Sequence, residues 1–221
     1  MAKIDVKICG LGKAEAIQAA ARGGATHAGI VFFDPSPRNV SPREAMALAK
    51  NIPPELKRVG VFANPEDSLL ERAILAAKLD IVQFHGDEKP ERLRTIKSRH
   101  NVNVWKAIPV ATTSDLEAAK RYEDVADLIL FDARQPKASR LPGGMGIAFD
   151  WKLLQKYRHR TPWGLSGGLR SDNVGEAIAI TGASLVDVSS GVESEPGVKD
   201  PAKIAAFLRA VDSAQALQEP A

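Results

Sequence analysis

Thr26-His27-Ala28-Gly29-Ile30-Val31-Phe32-Phe33-Asp34-Pro35-Ser36-Pro37-Arg38-Asn39-Val40-Ser41-Pro42-Arg43-Glu44 is one complete strand, loop and helix start. Residues 26–33 form a nearly continuous apolar run, which predicts a parallel strand covered on both faces. Ser41, Pro42 and Glu44 form a capping box with proline at the first helical position. The apolar face of the helix they open is Ala45, Leu48 and Ala49. The loop between strand and helix is stiffened by Pro35 and Pro37 and carries Arg38.

The same alternation continues in both directions. Further strand-like runs lie at 5–9, 58–62, 80–84, 102–107, 127–131, 163–165 and 185–188. Helix starts are expected at Asn64-Pro65, Ser114-Asp115-Leu116-Glu117, Ser171-Asp172 and Asp200-Pro201. The apolar faces that follow include Leu70, Ala73, Ile74 and Ala77, then Val174, Ala177 and Ile178, and finally Ile204, Phe207, Leu208 and Val211. After Ala214 the chain reads as a fraying end. Eight strands, each followed by a helix and with no linker between them, predict a single (β/α)8 TIM barrel domain over residues 1–221. A doubly wound open sheet is the structural alternative.

Composition narrows the function. The chain has 221 residues, 44% hydrophobic and 26% charged, enough for one sizeable core. Thirty Lys and Arg face 27 Asp and Glu, a net charge of +3, interspersed along the chain. That pattern is a solvated surface, so no nucleic-acid partner is expected. No run reaches the roughly 18 apolar residues of a membrane span, so no membrane partner is expected either. A single cysteine and a charged N-terminal strand without a signal-peptide core predict a reducing, cytoplasmic setting. No Cys/His spacing suits zinc and no acidic loop suits calcium, so no metal is assigned.

In a (β/α)8 barrel the active site lies at the C-terminal ends of the strands. Cys9 ends the first, in Lys7-Ile8-Cys9-Gly10; a thiol without a disulfide partner there is a candidate base or nucleophile, or a buried structural cysteine. Lys7 reads as a poor stabiliser for its thiolate, because residues two apart share a face but sit at different depths. Asp132 follows the sixth run; a carboxyl beside Leu128-Ile129-Leu130-Phe131 is desolvated and suits a general acid. Ser166-Gly167-Gly168 and Ser189-Ser190-Gly191 end strands seven and eight, where such barrels bind phosphate. Residues 190–199 are long enough for the short helical turn that accompanies that site. Arg38 suits bidentate recognition of a carboxylate. His85 ends the fourth strand, where a structural hydrogen bond explains it equally well. Gly143-Gly144-Met145-Gly146 lacks the lysine and hydroxyl of a P-loop and reads as a flexible active-site loop.

Together these motifs resemble the phosphoribosylanthranilate isomerase family of tryptophan biosynthesis. The resemblance rests on Lys7-Ile8-Cys9-Gly10, Ser36-Pro37-Arg38, Val82-Gln83-Phe84-His85-Gly86-Asp87, Phe149-Asp150-Trp151, Leu165-Ser166-Gly167-Gly168 and Val186-Asp187-Val188-Ser189-Ser190-Gly191-Val192-Glu193, in family order from about residue 5 to about residue 208. It implies an Amadori rearrangement of a phosphorylated small molecule without any cofactor. By the same resemblance Cys9 is the general base and Asp132 the general acid. Arg38 holds the anthranilate carboxylate, Gly167, Gly168, Ser189 and Ser190 hold the phosphate, and Asp187 and His85 border the sugar. The segment Gly144-Met145-Gly146-Ile147-Ala148 departs from the family pattern by lacking a hydroxyl and a lysine. The alternatives are indole-glycerol-phosphate synthase, a histidine-pathway isomerase, or a barrel that binds a sugar phosphate without turnover. The synthase needs a strand-end lysine and the histidine-pathway enzyme an aspartate at position 9. One pair of phosphate loops also argues against a substrate with two phosphates. The sequence leaves monomer and homodimer undecided.

Overall fold

The protein is described from a computed structural model covering residues 3–135, 143, 144, 146, 148–155, 157 and 160–217. Strands β1 (Asp5–Cys9), β2 (His27–Phe32), β3 (Lys57–Phe62), β4 (Ile81–Phe84), β5 (Asn103–Val110), β6 (Leu128–Ala133), β7 (Trp163–Leu165) and β8 (Leu185–Val188) pair in parallel in sequence order. β8 closes on β1, with Lys7 opposite Asp187 and Ile8 opposite Val188. The barrel expected from sequence is therefore present.

The strands read as continuously apolar because both faces are buried by different partners. Ile8, Ile30, Phe62, Phe84 and Phe131 belong to the layer between sheet and helices. Cys9, Val31, Val61, Trp105, Leu130 and Leu185 form a separate cluster inside the barrel. The two sets alternate along each strand, as a two-residue period requires. Each fully buried side chain of this size contributes roughly 2 kcal/mol of transfer free energy.

The outer layer holds α1 (Ala14–Arg22), α2 (Pro42–Ala49), α3 (Asp67–Ala77), α4 (Pro90–Arg99), α5 (Thr113–Ala119), α6 (Val174–Thr181) and α7 (Pro201–Ala216). The capping box at Ser41 forms, with the Ser41 and Glu44 side chains each accepting the other's backbone N–H. Asp200 caps α7 by accepting from Ala202. Other boundaries move. Asn64 does not open α3: it sits at φ 49° and its side-chain oxygen accepts from the Asp87 N–H, tying two loops together. The polar residue entering α5 is Thr112, whose N–H and hydroxyl donate to Asp115, rather than Ser114. α6 begins after Asn173, two residues beyond the expected start. After β6 the described residues hold a 3-10 turn, Trp151–Leu154, where a helix was expected.

β6 runs to Ala133, so Asp132 lies within the strand, paired with Pro109 of β5. After β8 comes a 3-10 turn, Ser190–Val192, and then a small antiparallel hairpin, β9 (Glu193–Glu195) and β10 (Val198–Lys199). The helical turn expected in 190–199 is thus confined to its first three residues. Among the described residues, no helix is long and apolar enough to cross a membrane.

Candidate active site

The C-terminal ends of the strands surround a cavity of about 760 Å³, its open mouth included. Cys9, Arg38, His85, Asp132, Gly167, Gly168, Asp187, Ser189 and Ser190 all line it. Every residue assigned a catalytic or binding role from sequence therefore reaches one space. Gly143, Gly144 and Gly146 line it as well, while Met145 lies outside the described residues.

Cys9 ends β1 with 8% of its surface exposed, and Asp132 in β6 keeps 3%. β7 and β8 separate their strands on one side of the barrel, so thiol and carboxyl face the cavity from different walls. Asp132 Oδ1 accepts from the Ala133 N–H at 2.9 Å. Its Oδ2 lies 3.1 Å from His85 Nε2, out of line for a hydrogen bond in this arrangement. Gly143 packs against both, since a Cβ there would stand 2.6 Å from Asp132 Oδ2.

The loops after β7 and β8 form the polar end of the cavity. Gly167 has φ 89° and Gly168 φ 65°, a left-handed pair that only glycine adopts readily. Their N–H groups take no backbone acceptor among the described residues. Such a turn presents amide donors to an oxyanion. The Ser189 hydroxyl donates to the Cys9 carbonyl at 3.2 Å and accepts from Lys199. Lys199 Nζ also donates to the Ser189 carbonyl at 3.0 Å.

Four polar residues of the site were given no role from sequence. Glu193, on β9, receives Arg38 Nε at 2.7 Å and Arg38 Nη2 at 2.8 Å. It also pairs with Lys199 of β10. Burial alone would raise the Glu193 carboxyl; the hydrogen bonds from Arg38 and the Lys199 charge hold it below the usual range. Arg38 Nη2 donates further to the Gly144 carbonyl at 3.1 Å, joining the hairpin to the loop after β6. Gln83 is 1% exposed, lines the cavity, and leaves its side-chain oxygen without a hydrogen-bond donor among the described residues. Only its inward register beside Val61 and Trp105 marks it, and register is not visible until the barrel closes.

Lys7 is the fourth, and it corrects an expectation. It is fully buried and its Nζ donates to Asp187 Oδ2 at 2.8 Å. Burial pushes the Cys9 thiol up, and the Lys7 charge is the largest influence pulling it back. The difference in depth does not separate the two side chains, because the lysine's four-carbon stem spans it: Lys7 Cε and Cys9 Sγ both lie 3.1 Å from the position a Cβ would take at Gly29. Asp187 is raised by burial against the Lys7 charge, and its Oδ1 is buried without a hydrogen-bond partner among the described residues.

The chain is similar to known proteins over nearly its whole length. A family model described as N-(5'-phosphoribosyl)anthranilate (PRA) isomerase matches residues 6–210. The N-(5'-phosphoribosyl)anthranilate isomerase of Zymomonas mobilis subsp. mobilis is 49% identical over 209 residues, covering 94% of this chain and 98% of that protein. The enzyme of the same name from Rhodospirillum centenum is 47% identical over 206 residues, covering 93% and 96%. The crystal structure of phosphoribosyl anthranilate isomerase from Thermotoga maritima superposes with a TM-score of 0.86 at 37% identity, covering 95% of this chain and 99% of that one. A phosphoribosyl anthranilate isomerase in complex with reduced 1-(o-carboxyphenylamino)-1-deoxyribulose 5-phosphate superposes at 0.83 with 36% identity and the same coverage. With the match running through almost all of the barrel, the chain belongs to the N-(5'-phosphoribosyl)anthranilate isomerase family.

Proposed function

We propose that Cys9 is the general base and Asp132 the general acid of this chain's isomerase reaction. The activity is the aldose–ketose isomerisation of N-(5'-phosphoribosyl)anthranilate, a step of tryptophan biosynthesis. The observation that carries the residue roles is that a thiol on β1 and a carboxyl on β6 line one cavity from different walls. A single bound sugar fits between two such groups, one to give a proton and one to take it.

Asp132 protonates the furanose ring oxygen, and the C1–O bond opens to a protonated Schiff base. Cys9 as thiolate then removes the proton on C2. The C–H electron pair moves to C1, the C1=N⁺ pair returns to nitrogen, and an enolamine forms. Proton transfer from the enol oxygen to C1 gives the ketone. The substrate's own iminium is the electron sink, so the chemistry calls for no cofactor. Gly167, Gly168, Ser189 and Ser190 hold the phosphate, whose charge the N–H groups of the glycine turn favour. Ser189 must turn its hydroxyl from the Cys9 carbonyl to do so. Arg38 meets the anthranilate carboxylate with the part of its guanidinium that Glu193 leaves open. Asp187 Oδ1 and His85 border the ribose hydroxyls. A free thiol as base fits a cytoplasmic enzyme.

The test is turnover of N-(5'-phosphoribosyl)anthranilate, generated in place and followed by its fluorescence, for wild type, Cys9→Ala and Asp132→Asn. Turnover by wild type with losses of about a hundredfold or more in each variant is expected. Activity surviving either change would remove that residue from its role.

A further inference from the structure

We propose that Lys7 is a positioning residue for the reaction: held by Asp187 beside Cys9, its buried ammonium stabilises the Cys9 thiolate. The inference rests on the reading of Cys9 as the base and supplies the charge that reading needs, since an uncompensated buried thiolate is costly.

Geometry places the two groups together. Lys7 and Cys9 are two residues apart on β1 and share the inner face of the barrel. Gly29 is the β2 partner of Cys9 in register. A Cβ at Gly29 would stand 3.1 Å from Cys9 Sγ and 3.1 Å from Lys7 Cε. The missing side chain therefore leaves one space, in which the end of the lysine and the thiol lie next to each other. On the far side Asp187, opposite Lys7 in register, receives the ammonium at 2.8 Å.

A fully buried lysine ordinarily sheds its proton. Here burial works that way, yet Asp187 and then Cys9 reverse it and leave Lys7 above its ordinary value. Removing one proton from the Lys7–Cys9 pair gives either an amine beside a thiol or an ammonium beside a thiolate. The Asp187 carboxylate favours the second. When the C2 proton of substrate reaches the sulfur, Lys7 keeps its own.

The other charges facing the pair are few. Lys199 of β10 also favours the thiolate, while Asp187 opposes it. Asp132 and His85 act on Asp187 from the opposite wall. His27, on β2, feels the Lys7 charge and is kept neutral chiefly by burial. Lys199 is already committed to Glu193 and Ser189, which leaves Lys7 as the principal partner of the sulfur.

The chain has one cysteine, so alkylation by iodoacetamide reports Cys9 alone and needs no turnover. The experiment measures alkylation rate against pH for wild type, Lys7→Met, Lys7→Gln and Lys7→Arg, alongside the pH profile of kcat/KM. Both neutral variants are expected to move the alkylation midpoint alkaline by about one to three pH units, slowing the reaction at least tenfold at neutral pH. The acid limb of kcat/KM is expected to move with it, and Lys7→Arg to restore most of the rate. Lys7→Gln can still donate to Asp187, so it keeps the test open where Lys7→Met does not fold. An unmoved midpoint in a folded neutral variant overturns the inference, whatever Cys9→Ala does. Turnover by Cys9→Ala would instead overturn Cys9 as base, and the alkylation midpoints would still decide whether Lys7 controls the thiol.

Discussion

Arg38 and Glu193, 155 residues apart, meet in a forked ion pair with N···O distances of 2.7 and 2.8 Å, both side chains nearly buried. With Lys199 on the same carboxylate, the cluster holds two cations against one anion. The remaining positive charge faces the cavity proposed above for the anionic substrate, while the fork fixes the plane of the guanidinium. Glu193→Gln loses the charge but keeps the shape. It is expected to raise KM about tenfold to a hundredfold with a smaller change in kcat, since charge-assisted hydrogen bonds contribute about 1.5–3 kcal/mol. Steady-state kinetics separates the two: a fall confined to kcat would place Glu193 in the transition state instead.

A second buried pair holds the loop that carries His85. Lys106 Nζ donates to the Gly86 carbonyl at 2.6 Å and pairs with Glu88 at 3.3 Å. Glu88 in turn accepts from the N–H groups of Asn64 and Gly86. Lys106→Met leaves the Glu88 carboxylate buried and without its cation, which is expected to cost about 3–5 kcal/mol of stability. Urea unfolding checks this. The double variant Lys106→Met/Glu88→Gln is expected to lose less than Lys106→Met alone, because no bare charge remains.

The barrel was legible because each strand is buried on both faces and two of the helices announce their starts locally. Asp200 and the Ser41 box are examples where sequence neighbours supply the whole signal. Asn64 misled because its side chain serves the loop after β4 rather than its own helix, a partner 23 residues away. The gathering of Cys9, Asp132 and the two serine–glycine loops at one end was legible from strand ends alone. What those ends touch was not. Lys7 meets Asp187 only when β8 closes on β1, and Glu193 reaches Arg38 only through a hairpin after the last strand. Both partnerships depend on closure of the ring, and no spacing along the chain encodes it.

His27 makes stability depend on pH. Burial depresses its imidazole from 6.5 to about 4. It is 8% exposed, with its Nδ1 2.7 Å from the Thr26 hydroxyl and its ring tilted against Trp105. Between pH 6.5 and 4 the unfolded chain binds a proton that the folded chain refuses, so stability falls as pH falls through that window. This histidine's share of the loss is up to about 3 kcal/mol. Above the window the effect is absent, and below it no further loss comes from this group. His27→Gln is expected to flatten the drop in Tm between neutral and acid pH. An unchanged drop would assign it to other groups.

Gly143 tests how closely Asp132, the proposed acid, is held. A Cβ there would stand 2.6 Å from Asp132 Oδ2 and 2.7 Å from His85 Cε1, too close for either group to stay in place. Gly143→Ala must therefore shift the loop after β6 or push the carboxyl off its position. A displacement on the order of 1 Å at a reacting group costs about a hundredfold in rate. Gly143 is half-buried in a loop outside the barrel strands, so the strain is local and a large loss of stability is not required. Gly143→Ala is accordingly expected to lower kcat by about tenfold to a hundredfold with Tm nearly unchanged. Turnover kinetics beside a thermal melt distinguishes this from a folding defect: unchanged kcat would show that the loop moves aside at no cost to Asp132.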